Sequence, residues 1–590
     1  MERKEVIISD LSSAVIEKDR LSPVSSPDRW ECTGYSTRDV KGSFLFAGER
    51  SAPPQLTIDP KLGGWYRVYV CMADFGGAFA SHIDLRLTSD EYSRSMRAGD
   101  IGRYVVWSKT EAVEESFWRC ADMTGQSVTV SKIDTGLPFK ANIFWLRFEP
   151  MSDDEVTEYL SKRPSKTMLA HMDGDFHALD GAKEPKDYCK AIYNMRHSAV
   201  GIVSQEVMND LIDYDSPAFR DLFPRDDFTK TRVKYFERMS RNRRDIYEAE
   251  IKCAHEGGMK LIAAHRMPLS NFAFPHNQPY FEIPFVAKHP EYRCESRFGV
   301  PVGFLSYAYP EVREFMLSTL MESAEQGFDG VELLFTRGVC LMFERPVAEI
   351  YRGKYPDGPD YSLLPPYDQR VYEARCAVMT GFVRELRRRL DDYAEKTGHA
   401  RFGVYVTGYH TVCGSRQNGL DFETLAAEGL IDGIIQSNMS VWEESDDCVG
   451  PDGLIDREKY ERKADSGYIA DRYYTNDPKH IAVGAGEYGR LADRYGIEMY
   501  SELQWESTVP PEEYVKAAKK IIAGGGKRIA LWDCVPARLQ SLSEWAAVSG
   551  MGDAASINAL SDDGSAYRSA HRLTMIGGQD LRYANPTWRG

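Results

Sequence analysis

Residues 307–338 read YAYPEVREFMLSTLMESAEQGFDGVELLFTRG and join a helix pattern to a strand pattern. Apolar residues from Val312 to Leu320 recur at helical spacing, with Pro310 before the first turn and Gly327 after the last. The apolar run FDGVELLF follows directly and has the length of a buried strand. This stretch therefore predicts one helix-and-strand unit of an α/β fold.

The same alternation of apolar runs and helical patterns continues on both sides of this stretch. We predict eight strands, at residues 166–173, 199–206, 260–267, 328–337, 401–409, 431–438, 497–504 and 528–535. Eight such units within 166–548 predict a (β/α)₈ TIM barrel. A doubly wound sheet is the alternative, and no G-x-G-x-x-G motif follows the first strand.

The first 150 residues have a different pattern. Short alternating runs such as WYRVYVCMA (65–73) and QSVTVSKI (126–133) are separated by Gly, Asp, Ser and Pro clusters. This pattern predicts an antiparallel, jelly-roll-like β-sandwich over 1–150 that precedes the barrel. Such a domain serves either as a sugar-binding module or as a scaffold. Residues 151–165 read as a linker, and the polar residues 549–590 as an extension packed on the body.

Composition excludes several classes of protein. The chain has 590 residues, a net charge of −16 and 43% hydrophobic residues, which is ordinary for a globular protein with more than one domain. The acidic balance disfavours nucleic acid. The 11 cysteines include no C-x-x-C pair, so neither a disulfide framework nor a zinc site is expected. No apolar run of signal-peptide or membrane-span length occurs, which predicts a cytoplasmic protein without membrane contact.

Polar residues cluster at the carboxyl ends of the predicted strands, where barrel enzymes carry their active sites. The candidate site residues are His171, Asp173, Asp175, Glu206, His265, Arg266, Glu332, Arg337, Tyr409, His410, Asn438, Trp442, Glu502, Trp505, Trp532 and Asp533. Buried polar groups without partners are costly, so a ring of them at one end is better explained by a substrate site than by a core.

Glu332 and Glu502 are the candidate catalytic residues, and the other fourteen are candidate substrate-binding residues. Glycoside hydrolysis requires one protonated and one ionised carboxyl group, about 5–5.5 Å apart for retention and about 6.5–9.5 Å apart for inversion. Strands four and seven would place Glu332 and Glu502 across the barrel mouth. The sequence thus predicts an exo-acting glycoside hydrolase for small oligosaccharides or glycosides, without cofactor or metal. A homo-oligomer is left open.

Three alternatives remain at this stage. His171, Asp173, Asp175 and His265 have the donor types of a divalent-metal site, which would make the protein a metal-dependent barrel enzyme. The barrel could also bind sugar without cleaving it. Glu332 could instead be a core carboxylate paired with Arg337 or His265.

The quoted stretch resembles the family 10-like glycosyl hydrolases, a bacterial group of (β/α)₈ barrels. The match is the run PEVR (310–313) followed by DGVE (329–332), supported by the closing NPTWRG. The chain departs from the group at Leu334, where many members carry Asp, and at Val331, where retaining barrel glycosidases carry Asn. The resemblance implies a retaining glycosidase with Glu332 as acid/base and Glu502 as nucleophile.

Overall fold

The computed structural model describes most of the chain. The described residues are 4–74, 81–98, 112–133, 139–162, 164–172, 182–207, 243–269, 284–336, 338–437, 439–444, 448–466, 470–474, 478–503, 510–532 and 541–581.

Residues up to 150 form strands of two sheets. These strands are β1 (Val6–Ile8), β2 (Leu21–Ser22), β3 (Trp30–Thr37), β4 (Lys41–Ala47), β5 (Leu56–Ile58), β6 (Trp65–Met72), β7 (His82–Leu87), β8 (Arg94–Arg97), β9 (Ala112–Asp122), β10 (Val128–Ser131), β11 (Ala141–Ile143) and β12 (Trp145–Pro150). One sheet has the order β5-β10-β7-β8, and its apolar side chains share a core with those of the other sheet. The alternating runs at 65–73 and 126–133 form β6 and β10 as predicted, whereas β3, β4 and β9 were not predicted.

The middle of the chain forms a closed parallel barrel of eight strands and two short hairpins. The strands are β13 (Met168–Met172), β14 (Val200–Glu206), β15 (Lys260–Arg266), β16 (Arg293–Glu295), β17 (Pro301–Leu305), β18 (Gly330–Leu334), β19 (Gly403–Gly408), β20 (Gly433–Gln436), β21 (Met439–Glu444), β22 (Ala470–Tyr474), β23 (Glu498–Leu503) and β24 (Arg528–Leu531). The barrel order is β13-β14-β15-β18-β19-β20-β23-β24, and β16-β17 and β21-β22 are the hairpins. Each barrel strand lies within its predicted range, so the barrel prediction is confirmed and the doubly wound alternative is wrong.

Helices connect and cover these strands. They are α1 (Leu11–Ala14), α2 (Asp153–Ser161), α3 (Cys189–Met195), α4 (Pro284–Lys288), α5 (Pro310–Glu325), α6 (Arg345–Lys354), α7 (Gln369–Thr397), α8 (Val412–Gln417), α9 (Phe422–Ala427), α10 (Arg457–Ser466), α11 (Pro478–Tyr495), α12 (Pro511–Ala523), α13 (Leu542–Val548) and α14 (Ala554–Ala559). In α5, Pro310 occupies the first turn, one position later than predicted, and Gly327 adopts φ +93° just beyond the last turn, as predicted. Within the described residues, no helix combines the length and apolarity needed to cross a bilayer.

The C-terminal residues return to the first sheet. Strand β25 (Arg568–Ile576) pairs with β9 on one side and β3 on the other, and β26 (Gln579–Asp580) pairs with β25. The ten-stranded sheet therefore has the order β1-β12-β6-β9-β25-β3-β4-β11, with β2 beside β3. The sequence predicted that this extension packs on the body but did not predict a strand. The domain limits and the jelly-roll-like sandwich stay predictions.

Candidate active site

Two layers of inward-facing side chains fill the barrel. The lower layer is apolar and consists of Leu169, Ile202, Ile262, Tyr405, Ile435, Tyr500 and Ala530. Since side chains on one face of a strand recur every two residues, the next inward positions lie toward the carboxyl ends. These positions hold a buried polar layer that comprises His171, Ser204, Glu332, Thr407, Ser437 and Glu502, and the buried Glu206 lies two residues beyond Ser204 on β14. The sequence predicted polar residues at these strand ends.

Glu332 accepts hydrogen bonds on both of its carboxylate oxygens. It is 1% exposed. The hydroxyl groups of Ser204 and Thr407 donate to its two oxygens, and His171 Nδ1 lies 3.2 Å from Oε2. Burial alone would raise the pKa of Glu332, but the charge of His171 and these hydrogen bonds lower it below its ordinary value. Glu332 is therefore ionised at neutral pH.

His171 lies between two carboxylates. Its Nδ1 faces Glu332, and its Nε2 is 3.9 Å from Oε2 of Glu206. Burial favours the neutral ring, but Glu332 and Glu206 outweigh burial and raise the pKa of His171 to about 10. The imidazole also stacks on Trp532, with ring centroids 4.0 Å apart. His171 is thus a charged imidazolium at neutral pH.

Glu206 extends this chain of charges to the rim of the barrel. Arg266 forms a bidentate ion pair with Glu206, with Nε 2.5 Å from Oε1 and Nη2 2.8 Å from Oε2. Glu206 is fully buried, whereas the Arg266 side chain is partly exposed. Positive and negative groups therefore alternate from Arg266 through Glu206 and His171 to Glu332, an order that favours ionisation of each member.

Glu502 lies on β23, across the barrel order from β18. It is 4% exposed, and the hydroxyl group of Ser437 donates to its Oε2 at 2.5 Å. Glu498 occupies the opposite end of the same strand, two inward positions earlier, and bonds to Tyr405 and Arg528. One strand therefore carries one glutamate at each end of the barrel interior.

Three predicted residues take other positions. His265 points outward from β15, where its Nε2 lies 2.9 Å from the hydroxyl group of Ser323 on α5, so it does not join the polar layer. Tyr409 is buried, and its hydroxyl group donates to the carbonyl groups of Phe335 and Gly338 in the loop after β18. His410 follows it, and its carbonyl group accepts a hydrogen bond from Gln436. Tyr409 and His410 thus hold the loops of the mouth together.

The remaining candidates cannot be placed. Asp173, Asp175, Arg337, Asn438, Trp505 and Asp533 lie outside the described residues. Trp442 belongs to β21 by its backbone, and its side chain is outside the description. The described part of the site is therefore built from β13, β14, β15, β18, β19 and β23, together with the residues directly after β20 and β24.

Sequence reasoning missed the hydroxyl groups of the layer. Ser204, Thr407 and Ser437 each bond to a candidate catalytic glutamate. Each of them lies an even number of residues from another inward-facing residue of its strand. This two-residue spacing was the sequence feature that could have identified them. The structure also changes the expected partner of Glu332, since His171 on β13 contacts it where Arg337 or His265 was considered.

The metal-site alternative requires a neutral imidazole at His171. In the structure both ring nitrogens of His171 face carboxylates, Nδ1 toward Glu332 and Nε2 toward Glu206. Asp173 and Asp175, two other ligands of that alternative, lie outside the described residues. Within the described residues, no group of three or more His, Cys, Asp or Glu side chains is arranged to hold a metal ion.

Comparisons with known proteins find distant likenesses of structure. No family model matches the chain, and no curated protein matches it significantly. The catalytic domain of β-amylase from Paenibacillus polymyxa is 10% identical, with a TM-score of 0.38, over 66% of this chain and 98% of that one. The α-galactosidase TtGalA from Thermus thermophilus is 11% identical, with a TM-score of 0.32, over 94% and 99%. The glycoside hydrolase domain of PelA from Pseudomonas aeruginosa is 11% identical, with a TM-score of 0.30, over 63% and 95%. Such values are too low to bear on the activity of this chain, and a shared fold does not imply a shared function.

Proposed function

We propose that this protein is a glycoside hydrolase whose reaction uses Glu332 and Glu502. One observation carries the proposal: two buried carboxyl groups, on β18 and β23, lie in the same inward layer at the carboxyl ends of a closed barrel. Glycoside hydrolysis needs such a pair, with one group ionised and one protonated. The environment of Glu332 supplies the ionised member.

The proton state of Glu332 supports one assignment of roles. Glu332 is ionised at neutral pH, so it cannot protonate a leaving group. It is suited to attack the anomeric carbon, to activate water or to stabilise positive charge on the sugar ring. Glu502 then remains to donate the proton to the glycosidic oxygen. This assignment is the reverse of the one that the family resemblance implies.

The surroundings support an uncharged sugar substrate. Arg266, Glu206, His171 and Glu332 alternate in charge, so their charges largely cancel within the layer. Trp532 follows β24 next to this layer, half-buried, with one face on His171. Aromatic rings at such positions commonly stack on sugar rings.

The activity is tested with a panel of aryl glycosides in both anomers and both ring forms. On the substrate found, Glu332→Gln is expected to lower kcat at least about a hundredfold, and Glu502→Gln is expected to do the same wherever the leaving group needs a proton. Glu498→Gln is the matched control because it changes a glutamate on the same strand and face at the other end of the barrel, and it should leave kcat unchanged. Full turnover in both site variants would refute the proposal.

Leaving-group dependence tests the roles separately. A variant without its general acid still cleaves glycosides whose leaving group needs no proton. Glu502→Gln should therefore retain activity on dinitrophenyl glycosides and lose it on alkyl glycosides, whereas Glu332→Gln should lose both. The opposite pattern would restore the roles implied by the family resemblance. The anomer of the first product, read by NMR, distinguishes retention from inversion.

A further inference from the structure

A second cavity lies between the N-terminal sheets and the barrel. Its volume is about 160 Å³. Strands β8 and β9, helices α2 and α3, and the end of α13 surround it. Its principal lining side chains are Arg94, Trp118, Arg119, Tyr159, Tyr193 and Trp545.

The cavity is remote from the candidate active site. Ser549 lines it, and the carbonyl group of Ser549 accepts a hydrogen bond of 2.7 Å from the backbone of Ala199, directly before β14. Glu206 lies at the other end of β14. Six residue steps of about 3.3 Å separate the two ends by about 20 Å. The cavity therefore lies at the amino ends of the barrel strands, opposite the mouth.

Arg94 gives the cavity an uncompensated positive charge. Its Nε is buried without a hydrogen-bond partner, and its guanidinium carbon lies 5.7 Å from the ring centre of Trp545. Among the described residues, no carboxylate forms an ion pair with Arg94. Burial, and then the charge of Arg119, lower the pKa of Arg94 to about 9. Arg94 as a whole is partly exposed, and a partly buried guanidinium without a counter-ion is unfavourable, so an anion placed beside Arg94 would be stabilised there.

The second arginine is already neutralised. Asp90 accepts from Arg119 at 2.8 Å on both oxygens, and Arg119 lies 5.9 Å from the ring centre of Trp118. The field around the cavity nevertheless stays positive. Desolvation, together with the charges of Arg119, Arg196 and Lys166, lowers the pKa of His197 at the rim to about 4. A ligand with one negative charge would therefore compensate the positive charge that remains in the cavity.

The volume of the cavity and the side chains that line it indicate the chemical class of a ligand that would fit. A cavity of about 150 Å³ is large enough for one six-membered ring. Trp118 and Trp545 supply aromatic surface for the face of a ring, while Asp90 and Asn194 supply polar groups suited to hydroxyl groups. Empty cavities in proteins are lined by apolar groups. The lining of this cavity instead includes the charged side chains of Arg94, Arg119 and Asp90. We propose that this interdomain cavity binds a single anionic sugar ring, with the class of hexuronic acids as its ligand and Arg94 as the carboxylate-binding residue.

Binding is tested by calorimetry on the full chain at neutral pH and low salt, with sodium D-glucuronate as the probe. D-Glucose tests the need for the charge, and sodium benzoate tests the need for the hydroxyl groups. Glucuronate is expected to bind, and both comparators at least about tenfold more weakly, since a hydrogen bond to a charged group contributes that much. Absence of glucuronate binding at millimolar concentrations would overturn the proposal, and so would equal binding of glucose or benzoate.

Substitutions test whether glucuronate binds beside Arg94 in the interdomain cavity or in the barrel mouth. Arg94→Met should weaken glucuronate binding at least about tenfold, and Arg94→Lys should weaken it less. Removing an unpaired buried charge is not expected to unfold the protein, and the melting temperature checks this. Arg86→Met on β7, outside the cavity lining, and Glu502→Gln in the barrel mouth should both bind as the wild type does. Loss of binding in Glu502→Gln with retention in Arg94→Met would place the acid in the mouth and refute the proposal, whatever the hydrolase activity.

Discussion

The charge of His171 depends on Glu332, and replacing Glu332 by Gln tests this dependence directly. Gln keeps the size of Glu and can still bond to Ser204 and Thr407, but it removes the negative charge 3.2 Å from Nδ1. Only Glu206, at 3.9 Å from Nε2, then remains to stabilise the imidazolium. The pKa of His171 should fall from about 10 toward its ordinary value of 6.5.

The magnitude follows from the pKa. A histidine whose pKa is raised in the folded protein contributes stability that is fully present below its unfolded pKa, 6.5, and lost as the pH rises through 10. The interval between these values corresponds to at most about 5 kcal/mol. Removal of one partner of a buried ion pair costs about 3–5 kcal/mol. Glu332→Gln should therefore lower the free energy of unfolding by about 3 kcal/mol below pH 6.5, and by much less near pH 10.

Two measurements check this prediction. NMR of ¹³C-labelled histidine, with His171 assigned by substitution, gives its pKa in the wild type and in Glu332→Gln. Urea unfolding at both ends of the pH range gives the free energies. His265 is the internal control: it is also buried, but it bonds to the Ser323 hydroxyl group and its pKa is lowered to about 3, so it should stay neutral throughout. A wild-type His171 that titrates near 6.5 would refute the reasoning.

Four further predictions follow from other contacts. Asp84→Ala should lower the free energy of unfolding by about 3–5 kcal/mol because it removes the carboxylate that lies 2.8 Å from the buried ammonium group of Lys190, and the double variant Asp84→Leu/Lys190→Met should cost much less; equal urea midpoints for the two would contradict this. Burial raises the pKa of Glu544 to about 8, so its contribution to stability is present below pH 4.5 and lost as the pH rises through 8, and Glu544→Gln should flatten the fall of the melting temperature over this interval. Deletion of residues 1–150 removes the strands on both sides of β25, and we expect an insoluble or inactive barrel; a soluble, fully active one would argue against a scaffold role. Treatment with EDTA should leave glycosidase activity unchanged, and loss of activity restored by a divalent metal would favour the metal-dependent alternative.

The predicted barrel shows what local patterns reveal. Its strands are short apolar runs because both of their faces are buried, and Pro and Gly mark the helix between two of them, as at Pro310 and Gly327. Strand β25 was not predicted because polar and apolar residues do not alternate regularly along it. Its place between β9 and β3 also depends on pairing with residues that are far away in sequence. The N-terminal sheet therefore depends on contacts between residues that are far apart in the sequence, and local sequence patterns do not reveal such contacts.

The candidate site divides in the same way. Glu332 and Glu502 were predicted from strand ends, since residue type and strand position are properties of the sequence. The proton states were not, because they depend on distances between strands: His171 is charged through its place between Glu332 and Glu206. His265 has the same residue type and a similar strand position, yet it faces a helix and stays neutral. Local sequence patterns were sufficient to locate the eight strands and the polar ends of the barrel. Which groups carry charge follows from the packed fold, because electrostatic interactions in a buried site depend on separation and solvent exclusion rather than on order along the chain.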